Sequence, residues 1–351
     1  MAKYKIGIWG QYGDGGKIAD GQAVRTTIIT NELRRRYGDA SVATINTNAW
    51  RKKPLRFLYS SILLLRRSEV FIIAPADNGF KVFVPILDFF NRLFKRKILY
   101  VVIGGFLPGL LKVKPKYIKM VNRFSGLFVQ TENIRKDLEE IGVKNLHILS
   151  NPKRLNTLKE EAVKEVVDEN IKVCVFSRIY ADKGVEDAIE AVKLANETLG
   201  DNYITLDMYG LVPEFYKERL NELLGQNKDL VKYNGIIDYD KTVETLSNYF
   251  VMLFPTYYHG EGFPGNVIDA YNSALPIIAT DWLYNSDVVL DNKTGLLVPI
   301  KNPKALSEAI LKLYHDRKLR QALALNSLRE VPKYSPDKVL ADFYEMIEIE
   351  H

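Results

Sequence analysis

The chain has 351 residues, 47% apolar and 26% charged, an ordinary balance for a soluble globular protein and enough length for two domains. The single cysteine, Cys174, excludes an internal disulfide and reads as a buried core thiol in a reducing compartment. The net charge of +6 hides a split: residues 1–150 hold 26 Lys+Arg against 11 Asp+Glu, and the remainder holds 23 against 32. A basic half and an acidic half point to two domains with different partners, anionic ones for the basic half.

Lys5–Trp9 is an apolar strand already under way at the start, so no signal peptide is expected. No run of about 18 uncharged apolar residues follows, so no transmembrane helix is expected either. G-Q-Y-G-D-G-G comes next, and from Ile18 or Asp20 a helix runs through Arg36, with Gly38 just past its end. The glycine spacing is not G-x-G-x-x-G, and Gln11 and Ile18 break a Walker A pattern. The loop is a tight β-to-α turn able to approach a phosphate or a sugar.

Strands are then predicted at Ser41–Ile45, Val70–Ala74, Ile98–Ile103, Leu127–Gln130 and His147–Leu149. Helices are predicted at Arg51–Arg67, Phe83–Phe94 and Glu132–Ile141, with P-A-D-N-G and G-G-F-L-P-G as loops. The alternation predicts a doubly wound parallel sheet. Basic residues flank Leu55–Leu65, and Phe83–Phe94 is aromatic with a basic end. Such helices either bury their apolar faces on the sheet or lie on an anionic membrane surface. No recognised nucleic-acid module is present, so no nucleic-acid partner is expected.

Lys153–Asn170 is polar and reads as a linker with a short helix inside it. Strands follow at Ile171–Phe176, Ile204–Tyr209, Val231–Tyr233, Val251–Phe254, Ile277–Ala279 and Gly295–Val298. Helices are predicted at Val185–Leu199, Phe215–Leu224, Asp240–Asn248, from Asn266 onward, Pro303–His315, Lys318–Leu328 and Pro336–Ile347. This is a second doubly wound α/β domain. Its Asp238-Tyr239-Asp240 reads as helix capping and first-turn charge, and with no His/Cys cluster no metal is expected.

Two loops of this domain carry chemistry. S-R-I-Y-A-D-K-G places Arg178 and Lys183 five apart at the end of the first strand, where two cations can neutralise a diphosphate. The stretch from Phe254 to Asp281 is strand, Gly-rich loop, helix, strand, with its loop at the ligand-binding end of a parallel sheet. Gly262 and Gly265 allow close backbone approach, and the amides around Phe263–Val267 open a helix and can face an anion. Glu261 and Asp269 are placed to point into one crevice, one for sugar hydroxyls and one for a ribose. The blander readings are a capped helix with a solvated acid and a solvated pair of loop cations.

F-S-R-I-Y-A-D-K-G resembles the G-R-x4-K-G segment of retaining glycosyltransferases of family 4, the glycosyl transferases group 1. P-T-Y-Y-H-G-E-G-F-P-G-N-V-I-D-A resembles that family's P-S-x-x-E-G-F-x-x-x-x-x-E-A segment, and N-G-I-I-D, A-L-P-I-I-A-T-D-W and T-G-L-L-V-P fall in the same order. The resemblance implies a GT-B fold, two Rossmann-like domains facing a central cleft: residues 1–152, joined by the last helix at 336–351, and residues 153–335. It implies a nucleotide-diphosphate sugar as donor, no cofactor, and a glycan or lipid-linked acceptor. Carried over, Arg178, Lys183 and Glu261 are the catalytic set. Ser177, Gly210, Gly262, Phe263, Pro264, Gly265, Asn266 and Asp269 bind the donor.

Two positions depart from the pattern: Asp269 stands for a glutamate and Ser177 for a glycine. The four histidines, His147, His259, His315 and His351, offer none for a first-domain cleft, whose candidates are Gly13, Asp14, Gly15, Gly16, Asp77, Asn78 and Gly104. The expected activity is transfer in bacterial surface polysaccharide or glycoconjugate assembly, in the cytoplasm at the inner face of the membrane. Lys183→Ala and Glu261→Ala are expected to abolish it with folding intact. A nucleotide-sugar epimerase and a non-catalytic partner subunit of the same fold are the alternatives.

Overall fold

The computed structural model describes residues 3–13, 21–48, 50, 52–154, 156–163, 170–201 and 203–349. The chain divides into two compact units, one made of residues 1–153 and 334–351 and the other of residues 154–333.

The first unit runs β1 (Tyr4–Gly10), α1 (Gly21–Tyr37), β2 (Val42–Asn46), α2 (Pro54–Arg67), β3 (Ser68–Ile73), α3 (Asp77–Phe94), β4 (Lys97–Val101), α4 (Leu107–Val113), α5 (Lys116–Val121), β5 (Gly126–Val129), α6 (Glu132–Glu140) and β6 (Leu146–Ile148). Its strands pair in parallel in the order β2-β1-β3-β4-β5-β6, so the sheet reverses direction at β1 and is doubly wound as expected. β4 is buried at every position, which is why K-I-L-Y-V carries no alternation.

The second unit runs β7 (Ile171–Phe176), α7 (Val185–Leu199), β8 (Ile204–Tyr209), α8 (Lys217–Gln226), β9 (Val231–Tyr233), α9 (Thr242–Leu246), β10 (Val251–Phe254), α10 (Gly265–Asn272), β11 (Ile277–Thr280), β12 (Gly295–Val298), α11 (Pro303–His315) and α12 (Arg317–Glu330). Its parallel sheet has the order β12-β11-β10-β7-β8-β9 and reverses at β7. α7 and α11 close one face over Val173, Val175, Leu206 and Leu253. Cys174 points away from solvent in β7, and burial pushes its thiol well above the usual range. It is a core residue and no nucleophile.

The chain then returns to the first unit through α13 (Pro336–Val339) and α14 (Ala341–Glu348). Val339, Leu340, Phe343 and Tyr344 enter the core with Ile6, Ile29, Leu33 and Phe128. Phe343 meets Phe128 edge-on at 4.6 Å. Lys97, on the edge of that packing, donates from Nζ to the carbonyls of Met346 at 3.0 Å and Ile349 at 2.5 Å.

Several elements differ from the sequence reading. P-A-D-N-G is loop only at Pro75 and Ala76: Asp77 and Asn78 form the first turn of α3, where an acid is favourable to the helix dipole. α4 and α5 were not expected: G-G-F-L-P-G reads as a loop, and residues 112–125 carry no predicted element. Pro108 sits in the first turn of α4, where its missing N–H costs nothing, and Pro115 caps α5. The same logic starts α2 at Pro54; Arg51, where the sequence reading begins it, lies outside the described residues. The last helix is broken in two at Leu340. Asp238 begins a 3-10 turn without a side-chain capping bond, so the capping expected of it is not made.

The supposed linker is partly packed structure. Its only described helical turn is a 3-10 turn at Glu160–Ala162. Leu158 and Val163 rest on Ala274, Ala324 and Leu328, and the Leu158 N–H donates to the Asn272 carbonyl at 2.8 Å.

Phe343→Ala is expected to cost about 3–5 kcal/mol, as for a fully buried aromatic truncated in a core. A urea unfolding curve of the variant against the parent checks it.

Candidate active site

The site is built on strand ends of the second unit. β7 ends at Phe176, and the residues beyond it run against the end of β8: the Ser177 N–H donates to the Tyr209 carbonyl at 3.1 Å, and the Ile179 N–H to Leu211 at 2.9 Å. Gly210 has φ +141°, and a Cβ there would lie 1.7 Å from the Ser177 carbonyl oxygen. Only glycine permits that approach. The Tyr233 hydroxyl donates to the Gly210 carbonyl at 2.8 Å and extends the row to β9.

Lys183 and Gly184 turn the chain into α7. Gly184 has φ +71°, and a Cβ there would lie 2.0 Å from the Pro255 carbonyl oxygen. That contact sets the turn directly on the loop after β10. The Tyr257 N–H donates to the Asp182 carbonyl at 2.9 Å, a second tie between the two loops.

These loops bring Lys183 and Glu261 together. Lys183 Nζ lies 2.5 Å from Glu261 Oε2, and the Thr256 hydroxyl donates to the same oxygen at 3.0 Å. The two charged side chains are 8% and 11% exposed. A buried ion pair of this kind is satisfied only as a pair, and removing one partner strands the other charge. The expectation that Lys183→Ala and Glu261→Ala would leave folding untouched is therefore corrected.

Tyr258 completes the cluster. Its ring has Lys183 Nζ at 4.8 Å and the Arg178 guanidinium at 5.5 Å from its centroid. The same guanidinium lies 5.5 Å from the Tyr180 ring, which meets Tyr258 edge-on. Each such contact is attractive through the ring quadrupole. Burial pushes the Tyr180 hydroxyl up to about 12, so it stays protonated at neutral pH. The Tyr258 carbonyl accepts from Trp282 Nε1 at 3.0 Å and from the Glu261 N–H at 3.1 Å, which fixes the turn Tyr258–Glu261. Arg178 itself remains exposed.

α10 starts at Gly265 after Pro264 in extended geometry. Gly262, Phe263 and Pro264 are buried, whereas Gly265 and Asn266 are half-exposed. Asn266 donates from Nδ2 to the Phe176 carbonyl at 2.6 Å, tying the helix start to the end of β7. Asp269 lies on the inner side of α10, 5% exposed. Burial and then the Asp269 charge lift the Tyr239 hydroxyl to about 12, and that hydroxyl donates to the Arg154 carbonyl at 2.8 Å. Glu261 is instead committed to Lys183 and Thr256.

In the first unit, Gly104 follows β4 with φ +77°, and its N–H donates to Gln130 Oε1 at 2.8 Å. Gln130 Nε2 reaches Asn151 Oδ1 at 3.2 Å. Arg25, 3% exposed, donates to the carbonyls of Val102 at 2.8 Å and Leu149 at 2.5 Å, and burial lowers its guanidinium to about 9. Asp77 is paired with Lys81 at 2.8 Å. Gly13 and Asn78 are described without a comparable contact, and Asp14, Gly15 and Gly16 lie outside the described residues.

Thr256, Tyr258, Gln130 and Arg25 were missed by the motif reading. For Tyr258 a signal existed. The resembled pattern has two residues between its serine and its glutamate, whereas four, Tyr257 to Gly260, separate Thr256 from Glu261. The longer loop is what carries the ring between the two cations.

Two outcomes follow from this geometry. Gly184→Ala combines left-handed strain with backbone overlap and is expected to cost about 2–5 kcal/mol. Gly200→Ala, with φ +82° and nothing within 4 Å of its Cβ, is expected to cost only about 1–3 kcal/mol. Denaturant unfolding of both variants gives the comparison. Lys183→Ala and Glu261→Ala are each expected to destabilise by about 3–5 kcal/mol, and the double variant by less than their sum. A double-mutant cycle on the same assay measures that coupling.

Residues 156–329 match the model of the family described as glycosyl transferases group 1. The capsular polysaccharide biosynthesis glycosyltransferase CapM of Staphylococcus aureus is 29% identical over half of this chain and 45% of its own length. The poly(ribitol-phosphate) alpha-N-acetylglucosaminyltransferase of the same species is 26% identical over 66% of this chain and 46% of its own length. The chain thus spans less than half the length of these relatives. Among solved structures, Anabaena Alr3699/HepE in complex with UDP superposes with a TM-score of 0.73 at 15% identity, covering 98% of this chain and 99% of that one. TarM gives 0.66 at 20% identity, covering 83% and 57%. These likenesses carry the GT-B fold. Through its second unit, the chain belongs to the glycosyl transferases group 1 family.

Proposed function

We propose that this protein is a retaining glycosyltransferase. It moves a hexosyl group from a nucleotide-diphosphate sugar to a hydroxyl of a glycan or lipid-linked acceptor, in bacterial surface polysaccharide or glycoconjugate assembly. The observation that carries the reading is the Lys183–Glu261 pair with Arg178 beside it, at the ends of β7 and β10 in a group 1 domain. The relatives' names support the substrate class, since they specify capsular polysaccharide biosynthesis and poly(ribitol-phosphate) and diphospho-undecaprenol acceptors. Structures of similar fold bound to UDP support a nucleotide donor.

In this reading Arg178 and Lys183 neutralise the donor diphosphate and the charge that grows on it as the anomeric C–O bond breaks. Glu261 holds Lys183 in place and offers its carboxylate to the donor sugar hydroxyls. The first-turn amides of α10, from Gly265 and Asn266, face the sugar and phosphate. The acceptor oxygen forms its bond to the anomeric carbon on the face the diphosphate leaves, and its proton passes to the leaving phosphate oxygen. Two cations supply the charge that a divalent metal otherwise would. The reaction is assigned to the cytoplasm, at the inner face of a membrane.

Incubation with a set of nucleotide sugars and an acceptor glycan tests this by nucleotide release. Release with at least one donor, unchanged in EDTA and abolished in Lys183→Ala, is the expected result. An absence of binding and release with every common donor overturns the assignment, and loss of release in EDTA overturns the metal-free part of it. The anomeric proton coupling of the product, read by NMR against that of the donor, decides retention.

A further inference from the structure

We propose that the outer face of α2 and α3 in the first unit docks on an anionic lipid bilayer. A helix packed on a sheet normally turns its apolar side inward and a polar side to water. These two break that rule. On α2, Leu55 is 82% and Tyr59 70% exposed, with Ile62 half-exposed one turn further along the same stripe. On α3, Phe89 is 69% and Leu93 75% exposed, and Val82 and Ile86 continue that stripe half-exposed. The inner faces are occupied as they should be: Phe57 and Phe83 lie 5.4 Å apart and both pack on Trp9. The helices are neighbours, joined also at their C-terminal ends by Arg96, which donates to the Arg66 carbonyl at 2.8 Å. Two adjacent helices therefore present two parallel apolar stripes outward.

The rim of this surface names its partner. Lys52, Lys53 and Arg56 stand exposed at the start of α2, Arg66 and Arg67 at its end, and Lys95 just beyond α3. None of these has an ion-pair partner among the described residues. Nearby acids do not offset them: Asp77 is paired with Lys81, and Asp88 is buried between Arg92 and Arg123, leaving Glu69 at the start of β3. Apolar stripes within a cationic rim fit the headgroup and acyl boundary of an anionic membrane, where each added cation strengthens partition roughly fivefold. A second copy of the chain fits poorly, because a two-fold contact would bring this rim against itself. Nucleic acid has no use for Leu55 and Leu93.

Flotation of the intact protein with vesicles tests the proposal. Binding to vesicles containing phosphatidylglycerol, weakened by salt and much lower on phosphatidylcholine alone, is expected. The exposed-residue variants L55S/F89S/L93S and K52E/K53E/R56E are each expected to bind at least roughly tenfold more weakly with an unchanged unfolding midpoint. Failure of the parent protein to float with the anionic vesicles at low salt overturns the proposal, as does flotation of both variants equal to that of the parent. Self-association that L55S/F89S/L93S abolishes while flotation persists assigns the face to a second copy and overturns it too. The membrane role rests on the transferase reading only for its lipid-linked acceptor. Nucleotide release without flotation overturns this surface alone, and flotation without nucleotide release overturns the transferase reading alone.

Discussion

The bond between Lys183 and Glu261 holds the candidate site together. It crosses from the loop after β7 to the loop after β10, the two central strands of the second sheet, and it is almost sealed from water. A charge pair in such a place requires its surroundings to be fixed. Gly184 lets the first loop seat on the Pro255 carbonyl, Thr256 supplies a further bond to the carboxylate, and Trp282 pins the turn that presents Glu261. These contacts fix both loops in place, and a preorganised site of this kind lowers the ordering cost of binding a ligand.

That pairing also separates two tasks that motif reasoning lumps together. Arg178 is exposed and, among the described residues, held by its contacts with the Tyr180 and Tyr258 rings. Lys183 is buried and already compensated, so its positive end is aimed and not recruited. Tyr258 has both cations within 5.5 Å of its ring centroid. Asp269, whose shorter side chain stood out in the sequence, is buried in α10, 5% exposed.

Much of the second unit was legible in the sequence. β7, β8, β9, β10, β12, α7 and α11 begin and end where apolar periodicity and flanking Gly or Pro place them. The first unit was harder, because prolines at helix starts look like helix stops and an acid in a first turn looks like a loop. For the site, residue types at strand ends pointed to Arg178, Lys183 and Glu261. That Lys183 and Glu261 bond to each other was beyond reach, since it depends on the approach of Gly184 to Pro255 between strands far apart in sequence. Tyr258 was hidden for a related reason: an extra pair of loop residues has a length but no direction until the loop is folded. The exposed stripes of α2 and α3 were read as helices with two options open, because periodicity shows that a face is apolar and not whether anything covers it.

The return of α13 and α14 to the first unit sets an order for biogenesis. On the ribosome, residues 1–153 emerge first, yet their core lacks Val339, Leu340 and Phe343 until the whole second unit has been made. The second unit is continuous in sequence and can close as soon as it is extruded. The first must wait with Phe128 and its neighbours uncovered, and apolar surface left open in that interval favours association with other chains. A protein assembled this way completes its N-terminal unit last.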